Sequence, residues 1–161
     1  SLGLVCVPFN TRFRSEELSY GLAHEDVRAL FCVDTFLDKI DFVDMLGDVE
    51  PAINTTLPGI HLPLLQHLVV FGQRVPGAGL SETDFLQLGA NIQPTEFAAA
   101  CTQVEPDDTL LIQFTSGTTA FPKGVMLSHA SMLGIAKSAT PPTVNQCRPA
   151  NRVKSVPAAG A

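Results

Sequence analysis

Strand-length apolar runs alternate with helix-like segments along this chain, and nothing else in the sequence constrains its fold as tightly. GLVCVPF (residues 3–9) is a continuous apolar run, the pattern of a strand covered on both faces. In the NTRFRSEELSYGLAHED that follows, Ser15 is placed to cap a helix and Glu16 and Glu17 lie in its positive first turn. Leu18 and Leu22 then share a face. VRALFCV (27–33) is a second strand. Asp34 can cap a second helix, in which Phe36, Ile40 and Val43 recur at helical spacing. Pro51, Pro58 and Pro63 break the middle into loops and short pieces. HLVVFG (67–72) is a third strand, and SETD (81–84) resembles a capping box before a short helix at Phe85 and Leu86. PDDT (106–109) turns the chain into the strand LLIQF (110–114). VMLSH (125–129) is strand-like and ASMLGIAKSA (130–139) helical. Residues 140–150 are proline-rich and read as loop, and RVKSV (152–156) as one last strand. The β-α-β-α-β order predicts an α/β fold with a mainly parallel sheet and flanking helices.

Composition removes several function classes. The 161 residues suffice for one domain, and 45% apolar with 16% charged residues is a globular balance. Ten basic against 16 acidic residues leave a formal charge of −6. No nucleic-acid partner is expected, because backbone binding rests on clustered positive charge. No apolar run approaches the roughly 20 residues of a membrane helix, and neither a transmembrane segment nor a signal peptide is expected. Cys6, Cys32, Cys101 and Cys147 have no metal-ligand or redox spacing. Cys6 and Cys32 lie in apolar runs and read as small core residues, and reduced thiols suit a cytoplasmic protein. The chain begins at Ser1, without an initiator Met, directly on an apolar run, as a piece of a longer protein would.

Chemistry concentrates in TSGTTAFPKG (115–124). Ser116, Thr118 and Thr119 supply hydroxyls, and Gly117 lets backbone N–H groups approach an anion. Lys123 supplies a point charge for a phosphate, and Pro122 stiffens the turn before it. Composition alone is shared with a surface loop that happens to be rich in Thr and Gly. The order separates it from other phosphate loops. In a Walker loop the lysine follows a glycine and a helix begins at once, whereas Lys123 follows proline and leads into the β-like Val125-Met-Leu. The kinase glycine pattern is absent.

FTSGTTAFPKGVMLSH closely resembles the signature of the adenylate-forming superfamily, a Tyr or Phe followed by TSGTTGxPKGVxxxH. Thr115, Ser116, Gly117, Thr118, Thr119, Pro122, Lys123, Gly124 and Val125 fit its core. The superfamily includes acyl-CoA synthetases, luciferases and peptide-synthetase adenylation domains. GLVCVPFNTRFRSEELSYGLAHEDVRALF is similar to that family's segment GAVVVPLNPRxxxxELxYxLxxxxAKxLF, and VEPDDTLLIQ to its approach to the loop. CRPANRVKSVP (147–157) is weakly similar to xLxPxDRVLSxxP, with Asn151 where Asp is usual.

The resemblance implies a fatty-acid–CoA ligase type of enzyme with a two-step reaction. A carboxylate attacks the α-phosphate of ATP·Mg2+, giving an acyl-adenylate and pyrophosphate. A thiol, commonly coenzyme A, then takes the acyl group. Thr115, Ser116, Gly117, Thr118, Thr119, Lys123 and Gly124 would bind the ATP phosphates, with Thr115 near Mg2+ and Lys123 as a mobile cation. This is a positioning and electrostatic task. The family's catalytic lysine lies in a C-terminal lid domain, so no catalytic residue is expected here. The chain is expected to be an incomplete N-terminal subdomain over 1–161, with the lid and the adenine, ribose and hinge motifs absent. The competing expectation is a catalytically inactive truncated fragment, at most a weak nucleotide-binding module, whose uncovered apolar faces favour aggregation.

Ala120 departs from the usual glycine, which strains the loop by about 1 kcal/mol or more where φ is positive there. Phe121 fits a variable position. His129 matches a common family position and reads as structural, while His24, His61 and His67 carry no assigned role. Adjacent Asp107 and Asp108 suit a turn rather than a catalytic pair, and Asp41, Asp44 and Asp48 read as a solvated acidic face.

Overall fold

A computed structural model describes residues 2–37, 39–115 and 123–139 of the chain. In order, these form α1 (Ser15–His24), β1 (Ala29–Val33), β2 (Thr35–Phe36), β3 (Ile40–Asp41), α2 (Phe42–Val49) and a 3-10 turn (Pro51–Asn54). β4 (His67–Phe71), β5 (Gly79–Ser81), α3 (Glu82–Gly89), α4 (Pro94–Thr102), β6 (Thr109–Thr115), β7 (Lys123–Ser128) and α5 (His129–Ala139) follow. The fold class is α/β, with a parallel sheet of order β1-β4-β5 and separate antiparallel ladders β2-β3 and β6-β7.

The parallel sheet forms where its sequence is most continuously apolar. Leu68, Val69 and Val70 of β4 are all buried, as the central strand of a sheet covered on both faces must be. On one face, Leu30, Leu68 and Val70 pack with Leu18 and Leu22 of α1 and with Val43, Leu46 and Val49 of α2. Ile53, Leu62 and Leu65 complete that core. Each such side chain contributes about 1.5–3 kcal/mol on burial, which makes this layer the principal stabilising element. On the other face, Phe85 of α3 stands edge-on to Phe31 at 5.2 Å between ring centroids. Phe31 still remains 51% exposed.

The strands expected at 27–33, 67–72, 110–114 and 125–129, and the helices near 15, 81 and 130, all form, with ends shifted by a few residues. Ser81 caps α3 as read, its Oγ accepting from the Asp84 amide at 3.1 Å. Residues 140–161, including the loop and strand expected there and Cys147, lie outside the described residues.

Several expectations are corrected. Residues 3–9 form no strand, and Cys6 alone makes a parallel bridge to Leu111 through two backbone hydrogen bonds. Gly3 at φ +72° bends the chain on one side, and Pro8 removes a ladder donor on the other. Cys6 is therefore exposed rather than in the core. Ser15 is the first residue of α1 and not its cap. The preceding Arg14 holds that position, its amide donating to Glu17 Oε2 at 2.8 Å.

Asp34 caps no helix. Phe36 and Ile40 pair across the short β2-β3 ladder, and Asp41 caps α2 by accepting from the Asp44 amide at 2.9 Å. The carboxylate of Asp34 instead accepts from the amides of Thr35, Gln73 and Arg74, joining the ends of β1 and β4. The acidic face is more than solvated, because Arg74 bonds Asp41 and, at 2.6 Å, Asp44. α4 was not foreseen. Pro94 sits at its first turn and Gln93 N donates to Glu96 Oε2, a capping arrangement hidden in a weakly amphipathic stretch.

Candidate functional site

The signature segment is carried by an antiparallel hairpin. β6 and β7 pair through Ile112↔Met126, Gln113↔Val125, Phe114↔Gly124 and Thr115↔Lys123. Strand leads into the loop and strand leads out, which agrees with the reading of Val125-Met-Leu and separates the hairpin from a Walker loop. Thr115 and Lys123 form the last pair, both exposed, and Thr115 Oγ1 donates to the Lys123 carbonyl oxygen at 3.3 Å. Ser116, Gly117, Thr118 and Thr119 lie outside the described residues, as do Ala120, Phe121 and Pro122. Of the expected phosphate-binding residues, the structure therefore brings together Thr115, Lys123 and Gly124, at the root of the loop.

Gly124 occupies a place no other residue fits without displacement. A Cβ there would lie 2.8 Å from Ile112 Cγ2 and 2.8 Å from Glu25 Oε1. Glu25 is the residue that ends α1, and its side chain is only 10% exposed. Its Oε1 also lies 3.2 Å from His24 Nδ1. The other limb is held one helical turn earlier. Gly21 of α1 abuts the ring of Phe9 so closely that a Cβ would stand 2.5 Å from Cε1, with Phe114 Cζ at 3.5 Å. Phe9, Phe13 and Phe114 form an aromatic cluster with centroid separations of 5.7–6.5 Å. Such rings prefer these tilted and edge-on arrangements. One face of α1 thus meets both limbs of the hairpin.

Sequence reading missed this brace. Its one local signal was Gly21 inside a helical pattern, which costs about 1 kcal/mol relative to Ala and implies a packing reason. Glu25 gave no signal, because its partner is distant in sequence.

At the hairpin root, Thr115 Oγ1 is a hard oxygen of the kind Mg2+ takes as a ligand. That suits an ion taking most of its ligands from phosphate and water. Among the described residues, no group of three His, Cys, Asp or Glu side chains could hold a metal ion. Among them, too, no helix is long and apolar enough to cross a membrane.

Beyond the hairpin, Asp108 fulfils a turn role. Its Oδ2 accepts from the Glu105 amide at 2.8 Å, and its carbonyl accepts from the His129 amide at 3.1 Å. His129 begins α5, which Ser128 caps by accepting from the Ser131 amide. Burial, followed by the charge of Asp34, pushes the Cys32 thiol up to about 11. That is the behaviour of a structural rather than a reactive cysteine.

A family model described as AMP-binding enzyme matches residues 1–156. Medium-chain acyl-CoA ligase ACSF2, mitochondrial, of Danio rerio is 30% identical over 138 residues, covering 83% of this chain and 22% of that protein. Crotonobetaine/carnitine–CoA ligase of Salmonella enteritidis PT4 is 27% identical over 133 residues, 81% of this chain and 22% of that protein. Among solved structures, the anthranilate CoA ligase AuaEII in complex with anthranoyl-AMP is similar at a TM-score of 0.55 and 29% identity. It is matched over 78% of this chain and 20% of its own. The chain spans about a quarter or less of the length of the relatives it matches.

Proposed function

The chain belongs to the AMP-binding enzyme family, and from that membership we propose that it supplies the phosphate-binding loop of an ATP-dependent carboxylate–CoA ligase. The ligase forms an acyl-adenylate with release of pyrophosphate and passes the acyl group to coenzyme A. Thr115, Ser116, Gly117, Thr118, Thr119, Lys123 and Gly124 hold the β- and γ-phosphates. Mg2+, when bound, would offset phosphate charge, with Thr115 Oγ1 as one of its oxygen ligands. Lys123 places a cation where charge builds on the leaving pyrophosphate.

The observation that carries this reading is the last ladder pair. Thr115 and Lys123 face each other, so a hydroxyl and an ammonium-bearing residue enter the loop from opposite limbs. The acid is proposed to be a fatty acid. Residues 1–161 are read as part of the N-terminal AMP-binding domain, in the cytoplasm.

ATP–pyrophosphate exchange tests the reading. The longest protein that carries this chain is offered fatty acids of several lengths, crotonobetaine and anthranilate. Exchange with a fatty acid, weakened in Lys123→Ala, is the expected result. No exchange with any acid overturns the ligase reading, and exchange with another acid alone overturns the fatty-acid assignment.

A second reading applies to the 161 residues alone, as a weak nucleotide-binding module without turnover. It is favoured by apolar side chains left exposed on several elements, among them Leu86 at 63%, Met126 at 66% and Leu133 at 61%. Titration of ATP·Mg2+ by calorimetry, alongside the exchange assay, decides it. Turnover by the isolated chain would refute it.

A further inference from the structure

We infer that Glu25 is a positioning residue for the phosphate loop, acting through Gly124 to fix the root of β7 and with it the backbone of Lys123. The inference rests on the ligase reading for its functional consequence and on geometry alone for its structural one. Glu25 ends α1, its carboxylate is nearly buried, and it lies against the one ladder position where a Cβ would collide. Gly124 follows Lys123 directly, so whatever fixes the plane of the Gly124 backbone also fixes the direction from which the Lys123 side chain departs.

α1 is itself anchored. Leu18 and Leu22 are buried in the core, and Gly21 is pressed against the Phe9–Phe114 cluster. A helix held by the core therefore meets β6 through Gly21 and β7 through Glu25. These two residues are four apart and share a helix face. The spacing between the two limbs is set by that rigid element rather than by the two-stranded ladder, which on its own is marginally stable. Supporting a site from a packed helix is how sub-ångström placement is maintained, and small misplacements of a binding group cost rate steeply.

The role is one of shape and hydrogen bonding more than of charge. A carboxylate beside a phosphate site would repel the ligand, so a purely electrostatic Glu25 predicts tighter ATP binding in Glu25→Gln. A packing role predicts that Glu25→Gln keeps the seat, since the amide has the same outline and can still accept from His24. Glu25→Ala then leaves a gap into which the β7 root relaxes.

The test compares wild type, Glu25→Gln and Glu25→Ala by two readouts. Amide hydrogen exchange on the longest protein that carries this chain is expected to quicken by about tenfold at residues 123–125 in Glu25→Ala, with β4 protection unchanged. Equal exchange in wild type and Glu25→Ala overturns the inference. In ATP–pyrophosphate exchange, Glu25→Ala is expected to raise KM for ATP by about tenfold with kcat little altered, and Glu25→Gln to recover most of that loss. Faster amide exchange with an unchanged KM in an active enzyme reduces Glu25 to a structural residue and also overturns it. An inactive wild type refutes the ligase reading, and the amide-exchange result then decides the brace by itself.

Discussion

Thr115 Oγ1 donates to the carbonyl oxygen of Lys123 across the final pair of the β6–β7 ladder, at 3.3 Å. The side chain of one limb thus closes on the backbone of the other. The bond uses the hydroxyl proton and leaves oxygen lone pairs for a cation.

Two substitutions separate those uses. Thr115→Ser keeps the hydroxyl, whereas Thr115→Val keeps the shape and loses both the bond and the ligand oxygen. Thr115→Val is expected to raise KM for ATP·Mg2+ in pyrophosphate exchange by about tenfold, and Thr115→Ser by less than about threefold. Equal values for the two variants would remove Thr115 from the site.

Gly21→Ala sets two opposing effects against each other. Replacing a helix-interior glycine by alanine ordinarily stabilises by about 0.5–1 kcal/mol. Here the new Cβ would stand 2.5 Å from Phe9 Cε1, and overpacking of this kind costs about 1–3 kcal/mol. The second effect is larger, so the variant is expected to be destabilised, by about 1 kcal/mol in urea unfolding. Gly134 of α5 is the control. Among the described residues, nothing outside the helix's own backbone comes within 4 Å of a Cβ there, so Gly134→Ala is expected to stabilise by about 0.5 kcal/mol or more. Stabilisation by both substitutions would show that Phe9 yields without cost.

The two glycines also show what sequence could convey. The parallel core was legible because LVVF (68–71) is apolar without interruption and because Leu18 and Leu22 repeat at helical spacing. The identity of the loop was legible because its chemistry is written in consecutive residues. What local pattern could not convey was pairing at a distance. Phe36 and Ile40 have helical spacing, yet they pair across a two-residue ladder, and Asp34 caps no helix but accepts from the amides of Gln73 and Arg74 some forty positions later. Glu25 meets Gly124 for a similar reason, tertiary contact overriding anything local.

Cys32 gives a chemical check on the sheet. Its thiol lies at about 11 against an ordinary 9.0, so at pH 8 its thiolate fraction is about a hundredfold below that of the same thiol unfolded. Alkylation by iodoacetamide, followed by peptide mass spectrometry, is expected to label the exposed Cys6 first. Cys32 should react only after denaturant is added. Rapid native labelling of Cys32 would mean that β1 is not packed as described.

Asp34 supplies the pH dependence. Its carboxyl is held below the ordinary 3.8 by backbone hydrogen bonds, first from Arg74 and then from Gln73, with Thr35 adding a further share. The folded state therefore prefers the ionised form. A carboxyl whose folded pKa is depressed contributes stability above its unfolded pKa and loses it as pH falls through the folded value. Asp34→Asn keeps the outline but turns a donor group toward amides that need an acceptor, so its Tm is expected to fall below that of wild type at pH 7. The gap should narrow once pH drops below about 4 and close when the wild-type carboxyl is itself protonated. Other carboxylates titrate in both chains, so the difference between the two melting curves isolates Asp34. A gap that stays constant down to pH 2 would mean that the joint between β1 and β4 does not depend on the charge of Asp34.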